Sequence, residues 1–167
     1  DVTVAVAGVA SKHLKAAQIK HSTAIIHSGS HAGYYPGAET MTIQITFNEE
    51  DGTHYGAQII GKDGVDKRID ILSNLIQRQG TVHDLTEFEH AYAPPFSSAK
   101  DPVNMVGFVA ENIMTKKLFL ADWDELQLGA TDDLIVDVRT EKEFQSGAVQ
   151  GAVNIPLDEI RGRLADF

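Results

Sequence analysis

The sequence predicts an α+β fold: an antiparallel sheet with helices packed on it, followed by the beginning of an α/β domain. Three observations carry this. Met41 to Phe47 alternates apolar and polar side chains, and Tyr55, Ala57 and Ile59 repeat the alternation after a glycine turn, the pattern of a half-buried hairpin. Val65, Ile69, Leu72 and Ile76 recur at spacings of four, three and four, one apolar stripe on a helix. Past residue 133, two apolar segments alternate with short helical patterns, which points to a parallel sheet.

Taken in order, residues 2 to 7 are β-branched and read as a strand. There is no initiator Met, so the chain reads as cut from a longer protein, and a missing signal peptide says little about location. Lys12 to Ala17 is a short turn or helix, and Thr23 to His27 a strand. Ser28 to Gly37 holds Gly29, Gly33, Gly37 and Pro36, a shaped loop. Met41–Phe47 and the return strand are joined by Glu49-Glu-Asp-Gly52, with Gly placed for a positive φ. Asp63 is the expected N-cap of the first long helix and Gly80 its C′ residue, with Lys67, Arg68 and Asp70 off the apolar stripe. Thr81 and Asp84 open a second, short helix containing Leu85 and Phe88. Residues 92 to 104 carry Pro94, Pro95 and Pro102, which fix three φ angles, remove three donors and push the preceding residues off helical geometry. A stiff, extended shelf bearing Tyr92 and Phe96 is expected there. Val103 to Met114 is a third helix. Composition then changes: Trp123-Asp-Glu-Leu, a Gly and paired acids place a linker over 117–132. Leu134–Arg139 and Gly151–Leu157 read as strands, Glu141–Gln145 as a helical turn and Leu157–Leu164 as a helix.

A formal charge of −10 and a pI near 5.0 argue against nucleic acid or anionic membrane as partner, because phosphate binding needs clustered Lys and Arg. There is no cysteine, so neither a disulfide framework nor a thiol nucleophile lies within this stretch. No apolar run approaches the ~20 residues of a membrane span.

Four sets of residues are candidates for chemistry. His27 and His31 are four apart with His13 and His21 nearby, but no carboxylate or thiol completes a metal set, and solvated loop histidines are the better reading. Gly61-Lys-Asp-Gly64 precedes a helix yet lacks the spacing of a phosphate-binding loop, so a capped turn is preferred. Ser97 and Ser98 lack a nucleophile elbow. Tyr34 and Tyr92 both sit in Gly- or Pro-shaped loops. Two phenols converging there could hold a small polar leaving group, although interface packing is the ordinary role of such tyrosines.

Four motifs in order, Tyr34-Tyr-Pro-Gly37, Gly61-Lys-Asp-Gly-Val-Asp-Lys-Arg-Ile-Asp70, Leu85-Thr-Glu-Phe-Glu89 and Tyr92-Ala-Pro-Pro-Phe-Ser-Ser-Ala-Lys-Asp-Pro102, add a resemblance. Residues 1–116 resemble the C-terminal dimerisation domain of coenzyme A-disulfide reductases, among the FAD-dependent pyridine nucleotide-disulfide oxidoreductases. Residues 133–167 resemble the start of a rhodanese domain, through Asp137-Val-Arg139, Glu143-Phe144, Gly147 and Gly151-Ala-Val-Asn-Ile-Pro156. The combination resembles fused reductase–rhodanese proteins that act on CoA disulfides, CoA persulfides or polysulfides.

The resemblance implies a cytoplasmic homodimer using FAD, NAD(P)H and coenzyme A. The flavin, the nucleotide and the reactive Cys would belong to preceding domains, so this chain alone would hold no cofactor and no metal. It implies that Tyr34 and Tyr92 are catalytic, their hydroxyls near the partner subunit's Cys–CoA sulfur, and that Pro94, Pro95 and Phe96 line the same cavity beside flavin and pantetheine. The sulfur-accepting Cys of the rhodanese part would lie beyond residue 167, leaving Asp137 and Arg139 structural, holding the first strand to that later loop. The alternative is a non-catalytic dimerisation module of a related flavoprotein NADH oxidase or peroxidase.

Overall fold

A computed structural model describes residues 1–121 and 134–166. It divides after Leu120 into two compact units; the Trp123 segment and most of the expected 117–132 linker lie outside the described residues.

The first unit is the expected α+β layer. Strands β1 (Thr3–Gly8), β2 (Ser22–Gly29), β3 (Thr40–Phe47) and β4 (His54–Gly61) form one sheet in the order β1-β4-β3-β2, every pair antiparallel. Helix α1 (Ser11–Ala16) lies between β1 and β2 and buries Leu14. Met41, Ile43, Ile45 and Phe47 all point from β3 into the core, as the alternation predicts, and each is 1% exposed or less. Burying side chains of this size stabilises the fold by roughly 1.5–3 kcal/mol each. A register shift at Thr46/Phe47 buries Thr46 as well. Its hydroxyl is satisfied by donating to the Val9 carbonyl at 2.9 Å.

Helices α2 (Val65–Gln77), α3 (Val82–Glu87) and α4 (Pro102–Met114) close the core against the sheet, contributing Val65, Leu72, Leu75, Val82, Leu85, Val103, Val106, Ala110 and Ile113. The buried positions of α2 are Val65, Arg68, Leu72 and Leu75, a three-four-three stripe that takes Arg68 and Leu75 in place of the expected Ile69 and Ile76, so it includes an arginine expected to lie off it. Its N-cap is Gly64 in the left-handed region, not Asp63, and its left-handed C-terminal residue is Gln79 at φ 55°, not Gly80. The Gly80 N–H still returns to the Leu75 carbonyl at 2.8 Å, so the terminal carbonyls are satisfied one residue earlier than expected.

Helix α3 opens where expected, and Thr81 and Asp84 form a capping box there. Its last carbonyls are met from α4: Asn104 donates to Leu85 and Phe88 at 3.0 and 2.9 Å. Gly107 permits the two helices to touch, since a Cβ there would sit 2.8 Å from Leu85 Cβ.

The second unit contains a two-stranded parallel pair, β5 (Val136–Asp137) and β6 (Val153–Asn154), with α5 (Glu141–Gln145) between them. Both strands are shorter than expected, and the last segment, Ile160–Asp166, is a 3-10 helix kinked at Arg163 rather than a regular one. Arg139 clasps Asp137 through Nε and Nη2 at 2.6–3.1 Å and donates to the Gly147 carbonyl at 2.7 Å. These two residues therefore brace their own strand against the turn that follows α5. Among the described residues no helix is long and apolar enough to cross a membrane.

Candidate functional site

Two connections rise on one side of the first unit, the β2–β3 loop and the segment from α3 to α4. The loop is closed at its base, where the Ser30 N–H donates to the Glu39 carbonyl at 2.8 Å and the Glu39 N–H to Ser30 Oγ at 3.2 Å. His31 is buried, donates to the Ala32 carbonyl and meets the Tyr35 ring edge-on at 5.8 Å. It is a packing residue, not the solvated histidine expected. Tyr34 stands at the tip with 76% of its surface exposed.

The α3–α4 segment is not the continuous extended shelf expected. The Ala93 carbonyl accepts from the Phe96 and Ser97 N–H groups at 2.8 and 3.1 Å, so Pro94 and Pro95 lie in a turn, and Pro102 is the first residue of α4. A proline φ near −65° suits a turn and a first helical residue as well as it suits an extended chain. Tyr92 precedes the turn, half exposed; Pro94 and Pro95 are half-buried and Phe96 is exposed.

The two phenols meet. Tyr34 Oη and Tyr92 Oη are 3.1 Å apart although the residues are 58 apart in sequence. The hydrogen bond from Tyr92, helped slightly by burial, holds the Tyr34 phenol above its usual pKa, so it stays neutral. Either hydroxyl can donate in this bond, and whichever accepts keeps its own O–H free to donate outward.

Beneath the phenols lies a buried polar cluster that sequence reasoning missed. Arg68 is 1% exposed. Its Nη2 donates to Asp101 Oδ2 at 2.8 Å and to the Ser30 carbonyl at 2.7 Å, its Nε to Asp101 Oδ1 at 3.3 Å and its Nη1 to the Gly64 carbonyl at 3.2 Å. Ser97 Oγ donates to Asp101 Oδ2 at 2.6 Å, and the Val103 N–H to Oδ1 at 3.0 Å. Burial alone would raise the Asp101 carboxyl; Arg68, Ser97 and the Val103 amide outweigh it and hold the group below the ordinary carboxylate range. Ser97 is thus a structural donor. His90, its side chain 5% exposed, lies 4.0 Å from Asp101 Oδ1 with no hydrogen-bond partner for either ring nitrogen, and burial lowers its pKa.

Two signals pointed to this cluster. Asp101-Pro-Val-Asn104 is a capping box with Pro in the first helical position, and Arg68 falls on a helical stripe with Val65, Leu72 and Leu75. Gly64 makes room for the guanidinium: its φ is +68°, and a Cβ there would collide with Arg68 Nη1. Gly64→Ala is therefore expected to lower the urea midpoint, losing at least ~1–2 kcal/mol from the left-handed backbone alone.

Among the described residues no group of three His, Cys, Asp or Glu side chains is placed to hold a metal. Exposed His27 bonds Thr42, His21 pairs with Ser11, and neither joins a set. The Gly61–Gly64 turn is occupied by the Arg68 contact just described.

Comparison with known proteins bears on this geometry. The family profile "Pyridine nucleotide-disulphide oxidoreductase, dimerisation domain" matches residues 1–103, and that of the rhodanese-like domain matches residues 120–167. The coenzyme A disulfide reductase of Staphylococcus epidermidis is 40% identical over 111 residues, covering 66% of this chain and 25% of that protein. The chain thus spans about a quarter of the length of the curated relatives it matches. Among solved structures, reduced Bacillus anthracis CoADR-RHD superposes with a TM-score of 0.96 at 44% identity, over 99% of this chain and 30% of that one. A NAD-dependent persulfide reductase from A. fulgidus gives a TM-score of 0.87 at 35% identity, over 100% and 30% respectively.

Proposed function

Because the chain belongs to the pyridine nucleotide-disulphide oxidoreductase dimerisation-domain family, we propose that it forms the subunit interface of a homodimeric FAD-dependent, NAD(P)H-using reductase of CoA disulfides, CoA persulfides or polysulfides. In this reading residues 1–116 are the interface domain and residues 133–167 open a rhodanese domain fused to it. Tyr34 and Tyr92 then serve the partner subunit's Cys–CoA site, with Pro94, Pro95 and Phe96 lining the approach to it. FAD and NAD(P)H would be held outside the described residues and would supply the reducing electrons.

The observation that carries this reading is the phenol pair, two exposed tyrosines from separate loops with hydroxyls 3.1 Å apart. When a thiolate attacks a disulfide or persulfide, charge develops on the departing sulfur, and exchange runs faster when that charge is stabilised. In this reading Tyr34 is the donor within the pair, and Tyr92 directs its own proton at the departing CoA sulfur. Both loops are anchored before substrate arrives, so the donor needs little reorganisation.

The test is kinetic. In the full-length dimer, Tyr92→Phe should lower kcat with CoA disulfide or persulfide by roughly 100- to 1000-fold, the range for loss of one preorganised donor. Tyr34→Phe should have a smaller effect, because it removes the orienting partner rather than the donor. Unchanged turnover in both variants would reduce the tyrosines to packing residues of a pairing module.

A further inference from the structure

The two segments that carry the phenol pair are tied together by hydrogen bonds that form a ring closed through the backbone from Ser30 to Ala32. From the Ser30 carbonyl the ring passes to Arg68 Nη2, then to Asp101, to Ser97 Oγ and through the Ser97 carbonyl to the Ala32 N–H at 3.1 Å, two residues before Tyr34. Ser97 also ends the turn that begins at Ala93, beside Tyr92. One side of the ring thus belongs to the Tyr34 loop and the other to the Tyr92 segment; the Ala32–Ser97 bond joins them directly, and Arg68, from α2, bonds to both. Its third contact, to the Gly64 carbonyl, fixes the guanidinium to the first turn of α2.

The attraction between the two charges is by itself a poor explanation for an arginine at this position. A buried ion pair is often no better than well-packed apolar residues of the same volume, because both charges lose their hydration. What a guanidinium provides is geometry: a planar fork of donors that sets the distance and orientation of what it binds. Here it binds the two chain segments whose tips must meet within hydrogen-bond distance.

We propose that Arg68 is a positioning residue for the Tyr34–Tyr92 pair, holding the two loops in register through Asp101 and the Ser30 carbonyl. The proposal rests on the reading that the phenols act on the partner subunit's sulfur. Arg68 itself, fully buried in this chain, touches no reacting atom.

The experiment compares Arg68→Lys in the full-length dimer with the parent protein, and again in a Tyr34→Phe/Tyr92→Phe background. Lysine keeps the charge and loses the fork. The expected result is a kcat with CoA disulfide lowered by roughly 10- to 100-fold, the scale of a 1 Å misplacement, with KM within about two-fold. In the double-Phe background the same change should have little further effect, since its target is gone. Parent-like turnover of Arg68→Lys, or an equal fold-loss in both backgrounds, overturns the proposal.

A second readout does not depend on turnover. The phenolic absorbance change lost on Tyr34→Phe should titrate above pH 10 in the parent and move down towards 10 in Arg68→Lys. If the double-Phe variant is fully active, the functional reading fails by itself, and positioning is decided by this titration: no movement overturns it. Asp101→Asn keeps side-chain size and capping ability, and carries the same two comparisons if Arg68→Lys does not yield a folded dimer.

Discussion

Asp101→Ala should lower the stability of the first unit by about 3–5 kcal/mol at neutral pH, because it leaves Arg68 as an uncompensated buried charge. The same carboxylate is also the N-cap of α4 and the acceptor for Ser97. Loss of a cap alone typically costs about 1 kcal/mol. Asp101→Asn should be milder, since asparagine can still cap the helix and accept one bond from Arg68. Urea unfolding of both variants at pH 7, with parent-like slope, is the measurement. A loss under about 1 kcal/mol for Asp101→Ala would show that water reaches and solvates the guanidinium.

The second large effect is a response to acid, and it originates in β4. His54 is 2% exposed; its Nε2 donates to the Gly56 carbonyl at 3.1 Å, while Nδ1 has no partner. Burial pushes its pKa down to about 4 from 6.5, the Gly56 bond opposing only in part. Between these values the unfolded chain binds a proton that the folded chain refuses. Stability is therefore full above pH 6.5 and falls as the pH is lowered towards 4, by about 3 kcal/mol in all. Below about 3.8 the depressed carboxyl of Asp101 adds a second loss, again because the unfolded state protonates first. Urea midpoints at pH 7.5 and 4.5 should therefore differ far more in the parent than in His54→Phe. Parallel behaviour of the two proteins would place the acid response elsewhere.

The hairpin, the existence of α2, the α4 stripe and the start of α3 at Thr81 and Asp84 were legible because each is local. Alternation, helical spacing and a three-residue capping signature need no knowledge of the rest of the chain. The convergence of Tyr34 and Tyr92 was legible only as a possibility, from two rigid loops, since nothing in the spacing brings positions 58 apart together. Arg68 was misread for a definite reason. A charged side chain on a helix is ordinarily solvated, and what buries this one is a carboxylate 33 residues away, with room made by a left-handed glycine. The shelf was misread because proline excludes conformations without choosing among those that remain. Main-chain bonds to the Ala93 carbonyl select the turn, and the Asp101–Asn104 box selects the helix start.

The several duties of Asp101 set a rule for anyone redesigning this scaffold. In many proteins a buried ion pair can be exchanged wholesale for methionine and leucine with no penalty. Here that swap would strip the first turn of α4, take from the Ser97 hydroxyl its shortest bond and release the Ser30 carbonyl in a single stroke. A thermostabilised version is therefore better sought at surface positions of α2 and α4, with the aspartate left untouched.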